Sequence, residues 1–311
     1  MIENAGSTTA APAVRRVDAA PGGRGGLVGF VRRHPLVSLL LVFNTFGQAA
    51  ALVPVVVYRV YGVQLDVDWV LSIACVLFLL LPALAITRIA HGRAGLRALV
   101  RSAFRFRVRA RWYVLALVVL PALTVVLQGS APPGGWSAAA VGDAYGRGFL
   151  VALAFNFLTT NWWEETVWTG FFQGRLQERF GPWRAVVITW PFFFLQHVTL
   201  VLPGSSLGGG WASLLALAVV IPFFRMAVAY VYNRTHSLAI VGLVHAASNA
   251  VGAGLMARLY GVGGSGLLVF ALFGLLVLVA TRGRLGLPAP ALRASPRPCP
   301  PTSPLPDQEL R

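Results

Sequence analysis

NWWEETVWTGF, residues 161–171, is the stretch on which the reading of this chain turns. Two adjacent carboxylates, Glu164 and Glu165, stand in a run otherwise apolar enough for the middle of a membrane helix. Water solvates a carboxylate far better than lipid does, so a charge in such a segment needs a partner or a task. The rest of the chain supports the membrane setting. Of its 311 residues 57% are hydrophobic and only 12% are charged, against about a quarter charged in soluble domains.

Apolar stretches of about 20 residues, the length that crosses a hydrocarbon core, recur along the chain. The expected fold class is all-α: a polytopic membrane protein with about eight transmembrane helices, at 36–58, 68–88, 112–129, 148–173, 184–202, 211–233, 237–257 and 265–281. Together they form one transmembrane domain over residues 34–283. Residues 1–33, rich in Ala, Gly, Pro and Arg, read as a disordered basic tail. Residues 284–311, rich in Pro and Arg, read as a flexible C-terminal tail. Cys75 lies in an apolar run and Cys299 in that tail, so the two are not expected to pair.

The net charge of +16 does not indicate a nucleic-acid partner. All 26 basic residues are Arg, and they flank apolar spans as topology signals do. With the N-terminus inside, 22 of the 26 fall on the cytoplasmic side, and only Arg59, Arg147 and Arg258 lie in the opposite loops. The expectation is a multi-pass protein of the cell membrane with both termini cytoplasmic. Arg93, Arg97, Arg101, Arg105 and Arg109 recur every four residues, which marks one face of a helix. A basic helix over 93–109 lying on the inner surface would make anionic lipid a partner. A basic loop that only sets topology is the alternative.

Few ionisable groups fall inside spans. They are Glu164 and Glu165 in the fourth, His197 in the fifth, Arg225 in the sixth, and His245 in the seventh with Asn249 beside it. Glu164, His197 and His245 lie 11, 13 and 11 residues from the nearest cytoplasmic Arg, or about 16–20 Å at helical rise. Agreement in depth on three helices points to one shared site. His245 and Asn249 share a helical face, whereas Glu164 and Glu165 point about 100° apart. One carboxylate is therefore expected to act and the other to orient a neighbour. A carboxylate partly withdrawn from water can serve as general base, a neutral His can hold water, and a His with an Asn amide can face an oxyanion. Pro191, six residues before His197, is placed to bend its helix.

These residues resemble the CPBP (Abi, or CAAX protease-like) family of intramembrane proteases. The family pattern E-E-x-x-x-R looks like Glu164 and Glu165 with Thr169; F-x-x-x-H looks like Phe193 and His197; H-x-x-x-N looks like His245 and Asn249. The resemblance covers about residues 148–255. It implies a glutamate-dependent endopeptidase cutting a membrane-associated protein or peptide. Glu164 would activate water with His197, His245 and Asn249 would stabilise the oxyanion, and Glu165 would support the site. The family is also called metalloprotease, and a Glu with two His can ligate zinc. No H-E-x-x-H is present, so the reading leans to a metal-free site with no cofactor. Thr169 stands where the family has Arg, and Arg225 is the candidate substitute charge near Glu165. Two other functions remain open: a catalytically silent scaffold or immunity-type protein on the same fold, and a proton-coupled transporter.

Overall fold

The computed structural model describes residues 26–202, 210–261 and 266–288. Among these residues the structure is helical and contains no strand. A short helix, α1 (Leu27–Arg33), precedes the bundle. Six helices are long and apolar enough to cross a membrane: α2 (Pro35–Tyr61), α3 (Val67–Ala103), α5 (Ala138–Phe180), α6 (Pro182–Val201), α7 (Gly210–Thr235) and α8 (Leu238–Tyr260). Two shorter apolar helices, α4 (Arg111–Leu127) and α9 (Leu267–Ala280), occupy the positions of the other two expected spans.

Capping residues set several helix starts. The Asp66 carboxylate accepts from the backbone N–H groups of Asp68 and Trp69 at the start of α3. The Ser137 hydroxyl accepts from the Ala140 N–H at α5, and the Ser237 hydroxyl from the Ile240 N–H at α8. Each supplies an acceptor to a first turn that has none within the helix. Pro35 and Pro182 open α2 and α6, where a missing N–H costs nothing.

α8 forms the centre of the bundle. Along it Gly242, Ala246, Ala250 and Gly254 are buried and recur every four residues, giving one face of small side chains. A Cβ on Gly242 would lie 2.7 Å from the Cα of Trp162, and one on Gly254 would lie 2.4 Å from the Gly148 carbonyl oxygen. The α8 backbone is therefore seated directly on α5. α7 packs along α9 in the same manner, since a Cβ on Gly274 would meet the Phe223 carbonyl at 1.8 Å.

Three expectations need correction. Residues 27–33 are not part of an unstructured tail: they form α1, whose Arg32 Nε donates to the Ile89 carbonyl at 3.3 Å. At the other end, the chain stays packed beyond 284. Leu285 is buried, and its carbonyl accepts from Asn233 Nδ2 at 2.8 Å. The remainder of both tails, with Cys299, lies outside the described residues. Thirdly, the basic helix does not run through 109. Gly92 (φ 66°, ψ −165°) breaks α3, the following arm ends at Ala103, and residues 105–109 are not helical. Gly is the residue that takes this positive φ without strain. Arg93, Arg97 and Arg101 remain on the exposed face of that arm, while Leu99 is buried.

Candidate active site

The seating of α8 on α5 brings the polar residues together. Gly242 places α8 against Trp162, and one turn further on His245 faces the two carboxylates. The His245 Nδ1 lies 2.9 Å from Glu165 Oε1 and 3.9 Å from Glu164 Oε2. Asn249, the next residue on the same face, donates from Nδ2 to Asn161 Oδ1 at 3.1 Å. Asn161 in turn donates from its own Nδ2 to Glu164 Oε2 at 3.1 Å.

Glu164 and Glu165 have opposite surroundings. Glu165 is fully buried and enclosed by partners. Both its oxygens lie 2.8 Å from Arg225 Nη1, and the Thr169 hydroxyl donates to Oε2. Arg225, also fully buried, spends its Nη2 on Thr169 Oγ1 and Gln173 Oε1, each at 2.9 Å. Its guanidinium carbon sits 4.8 Å from the centre of the Phe193 ring, a cation–π contact. The charge absent from position 169 is thus supplied across the bundle by α7, with Thr169 as a bridge.

Glu164 instead lines a cavity of about 570 Å³, together with His197, His245, Asn249, Phe193 and Gln196. Gln196 Nε2 donates to Glu164 Oε1, and Gln196 Oε1 accepts from the Trp168 indole N–H at 2.8 Å, so the indole fixes which way that amide points. His197 places Nδ1 2.8 Å from the Phe193 carbonyl. A carbonyl only accepts, so Nδ1 carries the proton and Nε2 of the neutral ring offers a lone pair. The cavity reaches outward to Gln48 on α2 and to Asp68 and Cys75 on α3.

Of the residues singled out in the sequence, Glu164, His197, His245 and Asn249 share the cavity, while Glu165 and Arg225 lie behind it as a buried pair. Asn161, Gln196 and Gln173 were not singled out. They are neutral amides, and what could have found them is their place one turn or less from a motif residue. Among the described residues no three His, Cys, Asp or Glu side chains are grouped as a metal ion requires. The Nδ1 atoms of both His are already committed to other acceptors.

Residues 146–251 match the family model for type II CAAX prenyl endopeptidase, Rce1-like. That stretch contains all three motifs and the contact of Gly242 with Trp162. Neither the curated proteins nor the solved structures include a match to this chain.

Proposed function

We propose, taking residues 146–251 as a core of the CPBP, CAAX protease-like family, that this protein is an intramembrane endopeptidase with Glu164 as general base. One observation carries the reading. Of two adjacent carboxylates, one is neutralised by a buried Arg and the other faces a cavity shared with two His and an Asn.

The geometry supports a sequence of steps. A water between the Glu164 carboxylate and His197 Nε2 gives a hydrogen bond to each, leaving an oxygen lone pair directed at a peptide carbonyl. Glu164 takes one proton as the oxygen–carbon bond forms. The oxyanion that develops is faced by the Asn249 amide, whose second N–H is not used by Asn161, and by His245. His245 gives Nδ1–H to Glu165, so it donates to the oxyanion from Nε2 when that nitrogen carries a proton as well. Glu164 then returns its proton to the departing amine as the carbon–nitrogen bond breaks. Glu165 and Arg225 do not touch the substrate; they hold His245 and the α5–α7 spacing. The substrate class is a peptide or membrane-associated protein.

The test is to express wild type and Glu164→Gln at equal abundance in the native membrane and map new protein termini by mass spectrometry. Gln keeps size and hydrogen bonding but not the base, and loss of a general base costs about 10²–10⁴-fold. Termini that disappear in the variant identify a protease and its substrates together. Identical maps, with both proteins folded, would replace this reading with a silent scaffold on the same fold.

A further inference from the structure

A second cavity lies away from the carboxylates, between the end of α3 and the start of α4. Here Arg105, Arg107, Arg109 and Arg111 occupy every second position. The Phe106 N–H bonds to the Phe104 carbonyl at 3.1 Å and the Val108 N–H to the Phe106 carbonyl at 2.9 Å, which makes successive γ-turns with a period near two. All four Arg line one open cavity of about 710 Å³, together with Arg234, Trp112, Val108 and Thr235.

The segment is fastened without using its charges. The Ser237 hydroxyl donates to the Arg105 carbonyl, the Tyr113 hydroxyl donates to the Phe106 carbonyl at 2.6 Å, and the Phe106 ring packs 5.4 Å from Trp162. Among the described residues, the guanidiniums of Arg105, Arg107 and Arg109 have no hydrogen-bonded or ion-paired acceptor, and no acidic residue lines the cavity. Burial and the nearby Arg105 hold the His236 imidazole below its usual range, as expected in a positive field.

Five guanidiniums around one cavity repel one another until an anion joins them, and a single negative charge answers only one of them. Phosphate oxygens fit the guanidinium fork. The location selects the source. Arg111 opens the apolar helix α4, Arg234 lies in the last turn of α7, and Val114 and Val118 continue from Arg111 as an exposed apolar strip on α4. A headgroup in the cavity would have its acyl chains on that strip. We propose that this cavity binds the headgroup of a membrane lipid carrying at least two phosphate charges.

Native mass spectrometry of the full chain in detergent, titrated with cardiolipin, with phosphatidylcholine and with inorganic diphosphate, tests this. The variant pair is Arg107→Gln with Arg109→Gln. The charge-matched control is Arg97→Gln with Arg101→Gln, on the α3 arm and outside the cavity. Cardiolipin should bind the wild type saturably, one per chain, and phosphatidylcholine should not compete. The cavity pair should weaken binding by about 10–30-fold, at about 1 kcal/mol for each Arg lost, and the control pair, which does not line the cavity and acts only through screening solvent, by less than about 3-fold. Equal losses in the two pairs would show that net charge alone attracts the lipid and overturn the proposal. Displacement of cardiolipin by diphosphate at equal concentration would overturn the lipid assignment in favour of a free anion.

Discussion

Glu165 and Arg225 are both withdrawn completely from solvent. Desolvating two charges is costly, and their attraction offsets it only when the geometry is good and the remaining donors are used. Here two contacts to Nη1 and the bridges through Thr169 and Gln173 use both terminal nitrogens of the guanidinium, while its Nε has no hydrogen-bond partner among the described residues. Removing one partner should cost about 3–5 kcal/mol. Arg225→Leu is therefore expected to lower the melting midpoint in detergent and to abolish cleavage. Thr169→Arg in that background should restore part of both, by returning a guanidinium to the motif position. An Arg225→Leu protein that melts and cleaves like wild type would exclude this role. At this scale the sequence was informative where charge meets lipid: Glu164, Glu165, His197, Arg225 and His245 stand out because hydrocarbon makes them expensive. Asn161 and Gln196 carry no such mark, because a neutral amide in a span is common as a link between helices.

The elements matter through how closely they approach. Gly242 lets the α8 backbone rest on Trp162, and His245 follows three residues later. Gly242→Val should push α8 away from α5. Overpacking of this kind costs about 1–3 kcal/mol, and the displacement should reduce cleavage more than it reduces the melting midpoint, because His245 and Asn249 move with the helix. Measuring both on one preparation separates the two effects; unchanged cleavage would show that α8 finds its place by other contacts. The spans themselves were legible because lipid demands length and apolarity together. The end of the basic helix at Ala103 was not. The four-residue Arg spacing continues past it to Arg109, so periodicity alone suggested one helix over 93–109 where the chain forms a helical arm and then a ribbon of turns. α1 was missed for the opposite reason: its seven residues are too few for a periodic signal.

At the scale of the molecule, the expectation that both termini lie inside rests on eight crossings, because the Arg count changes sides across α4 and α9 as well. The orientation is testable with single cysteines in a background carrying Cys75→Ala and Cys299→Ser. A membrane-impermeant maleimide added to intact cells should label a cysteine replacing Trp136, in the α4–α5 loop, and leave one replacing Arg97 unlabelled until the membrane is opened. The reverse pattern would invert the topology. The depth agreement of Glu164, His197 and His245 was a molecule-scale signal in the sequence, and Glu164 and His245 approach within 3.9 Å. Helix geometry alone left open which of the two carboxylates acts; the assignment to Glu164 was implied by the family resemblance, and the structure adds that α7 reaches Glu165.

The position of that Arg also has a consequence for biosynthesis. Glu165 and its partner are 60 residues apart. Ribosomes add about 5–20 residues per second, so about 3–12 s separate the emergence of the acid from that of the base that neutralises it. A guanidinium at position 169 would have left the ribosome almost together with Glu165. In this chain the nascent α5 must wait, its acid without the guanidinium that pairs with it, until α7 has been made.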